Sequence, residues 1–174
     1  GSMLAAFLLP RILTRLDDRP VMIGGAALMV AGVALVPMVG SLAALIALWA
    51  IIGFGFSLTQ TPIGRIINRS AREADRGAVF AAQFSLSHAC WLVTYPLAGW
   101  VGAGAGLSTA ALVLAGIGAV GVVAVLWLWP AHDPEAFAHS HDNLPLDHPH
   151  LMGHRHHTHR FVVDENHPRW AAKL

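Results

Sequence analysis

Two long stretches of the chain carry no charged side chain, Pro20 to Gly64 and Gly77 to His132. Neither alternates apolar with polar positions, as the wall of a membrane barrel must, so both predict helices. A helix that crosses a bilayer needs ~20 mostly apolar residues at ~1.5 Å rise each. The first stretch is too long for one crossing and about right for two, with Pro37, Gly40 and Ser41 supplying the turn. Gly102, Gly104 and Gly106 divide the second stretch in the same way. The predicted fold is therefore all-α, a transmembrane helical bundle with spans at about 20–38, 42–62, 77–101 and 107–129. Residues 1–16 resemble the last half of another span. Gly1-Ser2-Met3 reads either as a cloning remnant before a start methionine or as part of a longer protein, and on both readings the first helix looks truncated.

Composition supports the same class. Hydrophobic residues make up 55% and charged ones 12%, against roughly 25% charged in soluble domains. Gly24, Gly25, Gly32, Gly53, Gly55, Gly116, Gly118 and Gly121 lie inside the spans, where in lipid they let helix backbones approach closely. Charge placement gives the orientation. Arg11, Arg15 and Arg19 lie in one connection, Arg65, Arg69, Arg72 and Arg76 in the next, and the two glycine turns carry none. By the positive-inside bias both arginine connections, and the tail after them, belong in the cytosol. Trp127 and Trp129 stand where an aromatic belt anchors the last helix. A net charge of +1 without a polybasic block gives no sign of a nucleic-acid partner. The single cysteine, Cys90, excludes a disulfide framework or thiolate cluster within one chain. No paired nucleophile and base or phosphate-binding loop points to an enzyme.

Two local patterns carry a family resemblance. Residues 10–20 (PRILTRLDDRP) resemble a degraded copy of the cytosolic loop Gly-x-x-x-Asp-Arg-x-Gly-Arg-Arg of the major facilitator superfamily. Arg15 and Arg19 fall on its basic positions, while Pro10, Thr14, Asp17 and Asp18 replace a Gly, the Asp, a Gly and an Arg. Further on, Thr61-Pro62 and Gly64-Arg65 close one helix, an arginine-rich loop follows, and Arg76-Gly77 opens a helix that ends in 95–99 (YPLAG). That ending is similar to the family's Gly-Pro-x-x-Gly, with Tyr95 where Gly is common. The resemblance covers residues 1 to about 130 and implies the eighth (partial) to twelfth helices of a transporter. It implies alternating access driven by an ion gradient, with a small-molecule or ion substrate held between two six-helix halves. The partners implied are membrane lipid and the N-terminal half. The chain by itself is expected not to transport.

His88 is the one readily ionisable group within a span, about 11 residues or ~16 Å from Gly77, near the midplane. Helical spacing places Ser85, His88 and Tyr95 on one face, with Gln83 off to one side. Polar groups at such depth are expensive and commonly line a pathway or relay protons. These four are the candidate pathway residues; the competing reading of His88 is helix packing. Thr59, Gln60 and Thr61 are expected to satisfy backbone near Pro62, and the loop arginines to set topology and gate contacts.

After Pro130 the composition changes, and ten of the 11 histidines fall between His132 and His167. Pro134, Pro145, Pro149, Gly153 and Pro168 oppose helix, so the tail, 131–174, is expected to be extended or disordered until something binds. Two clusters, 147–150 (DHPH) and 154–159 (HRHHTH), offer His148, His150, His154, His156, His157 and His159 as metal ligands. Neutral imidazoles beside carboxylates suit Zn, Ni, Co or Cu(II). Such spacing fixes no geometry, so loose, exchangeable binding is expected. The competing reading is a polar tail that chelates metal only on a purification column. Some metal-resistance permeases of the superfamily are similar in ending with a histidine-rich segment, which implies efflux or metal regulation as the alternative function. A non-transporting membrane subunit or truncated product is the third. Residues 161–170 (FVVDENHPRW) read as a docking peptide.

Overall fold

The computed structural model describes residues 1–131, 136–141, 144–145, 147–151 and 153–167. Its helices are α1 (Ser2–Leu13), α2 (Asp18–Leu35), α3 (Leu42–Gln60), α4 (Pro62–Ser70), α5 (Arg76–Ala105) and α6 (Leu107–Leu128), followed by strands β1 (Ala136–Ser140) and β2 (His156–Arg160). Three segments, Asp18–Met38, Leu42–Ser70 and Leu107–Leu128, are long and apolar enough to cross a membrane. The fold is an all-α membrane bundle carrying one small strand pair.

Element ends follow from local chemistry. Ser41 caps α3, its Oγ accepting from the Ala44 N–H at 3.2 Å. Pro62 opens α4 in the first turn, where its missing N–H has no partner to lose. α4 occupies much of what the sequence suggested as an arginine loop, because Arg65 and Arg69, one helical turn apart, share a face that meets Asp18. α5 runs through Gly102 and Gly104, both expected to break it, and stops only at Gly106, whose φ of +88° favours glycine. With 30 residues α5 is long enough to span, yet it is not among the three apolar candidates. Gln83, Ser85, Ser87, His88 and Thr94 dilute its hydropathy, so the span predicted at 77–101 is the least apolar of the long helices. Thr59 satisfies backbone one turn back, donating to the Gly55 carbonyl at 3.0 Å, and not at Pro62.

α1 packs on α3, α3 on α2, α2 on α6 and α6 on α5. At the α2–α3 seam the backbones touch: a Cβ on Gly25 would come within 2.6 Å of the Gly55 carbonyl oxygen, and one on Gly55 within 2.7 Å of that of Gly25. Gly24, Gly116 and Gly121 face open space, so the close approach expected of them is absent. Ala5, Leu9 and Val21, with Ile12, Leu13, Phe54 and Leu58 around them, knit α1, α2 and α3 together. Leu92, Trp100, Leu107 and Trp127 are exposed, a surface that suits hydrocarbon better than water.

Both arginine connections and the end of α6 meet at one end of the bundle. Arg19 donates from Nε to the Trp129 carbonyl (3.1 Å) and from Nη2 to that of Leu126 (3.4 Å), a cation on the negative pole of α6. Asp18 is 1% exposed and accepts from Arg65 Nε at 2.9 Å, with Arg69 Nη2 3.8 Å from its other oxygen. The tail reaches the same end, where the Val163 N–H donates to the Arg69 carbonyl at 2.9 Å. The described part of the tail is therefore ordered as a strand pair, the extended of the two forms expected of it. Pro145 and Pro149 fall between the strands, where they interrupt no ladder, and Leu151, Phe161 and Val163 are buried beneath it. Pro134 and Pro168 lie outside the described residues, as do residues 169–170 of the suggested docking peptide.

Candidate functional site

On α5, residues Ser85, His88, Ala89, Trp91, Leu92, Tyr95 and Pro96 line an open groove of about 530 Å³. No residue of α5 is buried, because among the described residues α6 is the main element packed along it. Ser85 and Tyr95 are exposed, while His88 and Gln83 are half-buried. His88 is held by its own helix. Its Nδ1 lies 2.8 Å from the Phe84 carbonyl, which can only accept, so Nδ1 carries a proton. The ring sits between Phe84 and Trp91, at centroid distances of 3.8 and 4.3 Å, and Trp91 stacks on Tyr95 at 5.8 Å. The groove thus has an aromatic wall and a few polar atoms, the composition of a small-molecule site. At the arginine end, Arg15 lines a shallow groove with Leu8, Arg11, Ile12 and Leu16, while Arg19 is engaged with α6.

The second site is built by the strands. β1 and β2 pair antiparallel, with His139 opposite His157 and His159 opposite residue 137. Alternate residues share a face, so His139, His157 and His159 stand on the same side. His141, whose N–H donates to the Arg155 carbonyl at 3.2 Å, extends the row. The turn Pro149–Leu151 supplies His150, and the loop after β2 brings His167 over the same face. His167 Nε2 lies 2.9 Å from His139 Nε2 and 3.1 Å from His141 Nε2. His150 Nε2 lies 3.0 Å from His141 Nε2 and 3.3 Å from His159 Nε2. Two overlapping quartets result, His139, His141, His150, His167 and His139, His150, His157, His159, each with its ligand atoms within 4.8 Å of one another.

The tautomers can be read from the outer contacts. Asp164 Oδ1 accepts from the Asn166 and His167 N–H groups at 2.9 and 2.8 Å and faces His167 Nδ1 at 2.9 Å. That carboxylate places the ring proton on Nδ1 and turns the Nε2 lone pair toward the other imidazoles, the support that metal-ligating histidines use. His157 Nδ1 meets the His154 carbonyl at 3.1 Å, so Nδ1 carries a proton; its Nε2 is buried with no hydrogen-bond partner among the described residues. Burial first, and then the neighbouring His167, His141, His159 and His157, push the His150 pKa down to about 4. Burial followed by His167, His157 and His159 lowers that of His141. Burial pushes the Asp164 carboxyl up, but hydrogen bonds from the His167 backbone and ring outweigh it and hold the pKa below its ordinary value. Near neutral pH His141 and His150 are therefore uncharged, the form that binds metal. An all-imidazole donor set fits Ni, Co, Zn or Cu(II).

Of the six ligands suggested by sequence, His150, His157 and His159 stand in the quartets. His148, His154 and His156 do not: His148 Nδ1 accepts from the His150 N–H at 3.2 Å, the His154 carbonyl holds His157, and His156 Nδ1 meets Ser140 Oγ at 3.0 Å on the opposite face. Sequence reading missed His139, His141, His167 and the supporting Asp164. The available signal was the alternation of His139 with His141 and of His157 with His159, a strand period hidden inside clusters that were read by proximity.

Among known proteins, the family model of the Major Facilitator Superfamily matches residues 1–159, beyond the bundle and into β2. No curated protein and no solved structure matches the chain.

Proposed function

We propose, from the premise that this chain belongs to the Major Facilitator Superfamily, that it forms the C-terminal portion of a secondary active transporter for a small solute. The chain is an integral membrane protein of a transporter superfamily. In this reading the α5 groove faces the other half of the transporter, with Ser85, His88 and Tyr95 contributing to the path and Gln83 beside it. The observation that carries the reading is the groove itself. A long helix in a membrane bundle keeps Ser85, His88, Trp91 and Tyr95 along a groove that no other described element lines. The groove is mostly apolar, but the Ser85 hydroxyl, the His88 ring and the Tyr95 hydroxyl on it are polar groups that a path between two halves would solvate and lipid would not. In this reading the arginine connections and the tail lie in the cytosol, as the positive-inside bias supports, and the membrane is the plasma (inner) membrane.

The experiment is transport by the full gene product carrying His88→Ala, measured across pH. Loss of transport, or loss of its pH dependence, is expected. Unchanged transport at every pH would sink the pathway role and leave His88 as a packing residue. A second reading, a divalent-metal exporter or a permease regulated by metal, is favoured by the convergence of imidazoles in the tail. Cells carrying the full gene, with and without residues 131–174, would be challenged with Ni, Co, Zn and Cu; equal tolerance would remove it.

A further inference from the structure

We infer that the tail binds one divalent transition-metal ion as a regulator rather than as cargo, and that the ion acts on the bundle through the Val163–Arg69 hydrogen bond and the Asp18–Arg65–Arg69 ion pairs. This rests on the second reading above, that the tail binds metal, and assigns the ligands, the number of ions and the route of action.

The stoichiometry follows from shared ligands. Both quartets contain His139 and His150, and each residue contributes one ligand atom. An ion in one quartet takes the shared pair from the other, so the six imidazoles hold one ion at a time. The buried Nε2 of His157, without a hydrogen-bond partner among the described residues, and the Nε2 of His167, whose Nδ1 faces Asp164, both lie among the other imidazole nitrogens. Such nitrogens repel one another at contact distance unless a proton or a cation sits between them.

The regulatory role follows from position. The predicted spans 20–38, 42–62, 77–101 and 107–129 contain one histidine, His88, and no carboxylate. A divalent cation crossing along these helices would meet one imidazole, whereas the tail offers it six. The tail site is also wired to the bundle. His167 lies on the loop that begins at Val163, and Asp164 fixes that loop by accepting two of its backbone N–H groups. Val163 is buried, and its N–H donates to the Arg69 carbonyl in the last turn of α4. The Arg69 side chain is buried too and pairs with Asp18 at the start of α2, where Arg65 also binds. An ion that ties His167 to His139 on β1 therefore fixes residues 163–167 against α4. Because the ion holds His167 in the loop conformation that also brings Val163 to α4, it favours the docked arrangement over the undocked one.

The test uses the full chain in detergent with Ni(II) as probe, Mg(II) as control, and hydrogen exchange read by segment. One Ni(II) per chain is expected, with exchange in 62–70 and 161–167 slowed about tenfold or more. His139→Ala should weaken binding by about tenfold or more and remove the protection, and His156→Ala should change neither. Val163→Pro removes the N–H to Arg69 and keeps every ligand. It should still bind Ni(II), which reports a folded tail, but should lose the protection of 62–70. One bound ion with no change in 62–70, or protection that survives Val163→Pro, overturns the regulatory route and leaves the metal-binding tail standing. No bound Ni(II) overturns both. Two ions per chain overturn the shared-ligand assignment, and Ni(II) carried across vesicles by the tail-deleted transporter makes the metal cargo.

Discussion

At the arginine-bearing end of the bundle Asp18 is buried between two guanidiniums, whereas in the tail six imidazoles converge on one another. The first cluster combines opposite charges, so each group supplies what its neighbour lacks when it leaves water. The second combines like groups that present lone pairs to one another, and it reaches balance only with protons or a cation from outside. Burial of ionisable groups thus has two meanings in one molecule. A cluster balanced from within reads as architecture, and one balanced only from without reads as a receptor.

The most damaging change should be Asp18→Ala. It removes the carboxylate that Arg65 and Arg69 share and leaves buried cationic charge behind, an effect of about 3–5 kcal/mol for a buried pair broken on one side. Thermal unfolding in detergent should show a large loss; a shift no greater than that of a surface substitution would erase the contrast between the clusters. Next in size is the response to metal. Ni(II) at about 100 times its Kd should stabilise the tail by about 2.7 kcal/mol, since a ligand that binds only the folded form adds stability by mass action. At the same Ni(II) concentration the effect should fall to about 1.4 kcal/mol or less in His139→Ala and stay intact in Asp18→Asn. Stabilisation that stays undiminished without His139 would place the ion elsewhere.

The two clusters were unequally legible in the sequence. The bundle announces itself through uncharged runs of spanning length, and the shared side of the arginine connections follows from charge placement alone. Asp18 was harder, because a motif comparison marks it only as a departure from Arg, while its burial depends on α4 being helical and presenting Arg65 and Arg69 together. The tail misled in a more instructive way. Prolines and histidines read as extended or disordered chain, yet alternate spacing of His139 with His141 and of His157 with His159 is strand periodicity, and pairing in register converts it into one face. Nothing local joins His150 and His167 to that face; both arrive through turns whose geometry the sequence does not fix. On α5 the polar stripe was legible, but not that it would leave this helix the least apolar of the long ones.

Acid should sharpen the difference by acting on the tail first. His141 and His150 have pKa values below 6.5 when folded, His150 at about 4, so between these limits the unfolded chain binds more protons than the folded one. Stability then rises with pH across that window: the contribution is complete above about 6.5 and is lost as pH falls toward the folded values. Asp164, held below its ordinary pKa, adds a loss of the same sign at lower pH still. Hydrogen exchange in β1 and β2, corrected for its intrinsic pH dependence, should show less protection at about pH 5 than at about pH 7, with Ni(II) affinity falling alongside. Protection that is flat across this range would mean that these rings are no harder to protonate folded than unfolded.

The smallest effect should come from the pair that most resembles Asp18–Arg65 on paper. Arg72 Nη2 and Asp75 Oδ2 lie 2.9 Å apart, but their side chains are 65% and 49% exposed. Water and salt already solvate both partners, and holding two mobile side chains in one geometry costs entropy that offsets the attraction. Asp75→Ala should therefore change stability by about 0.5 kcal/mol or less, and added salt should shrink even that. The comparison isolates burial from charge, because Asp18 and Asp75 both pair with arginine at the same end of the bundle. If Asp75→Ala proved as costly as Asp18→Ala, desolvation could not be what makes the Asp18 cluster architectural, and the distinction between clusters balanced from within and from without would fail at its first term.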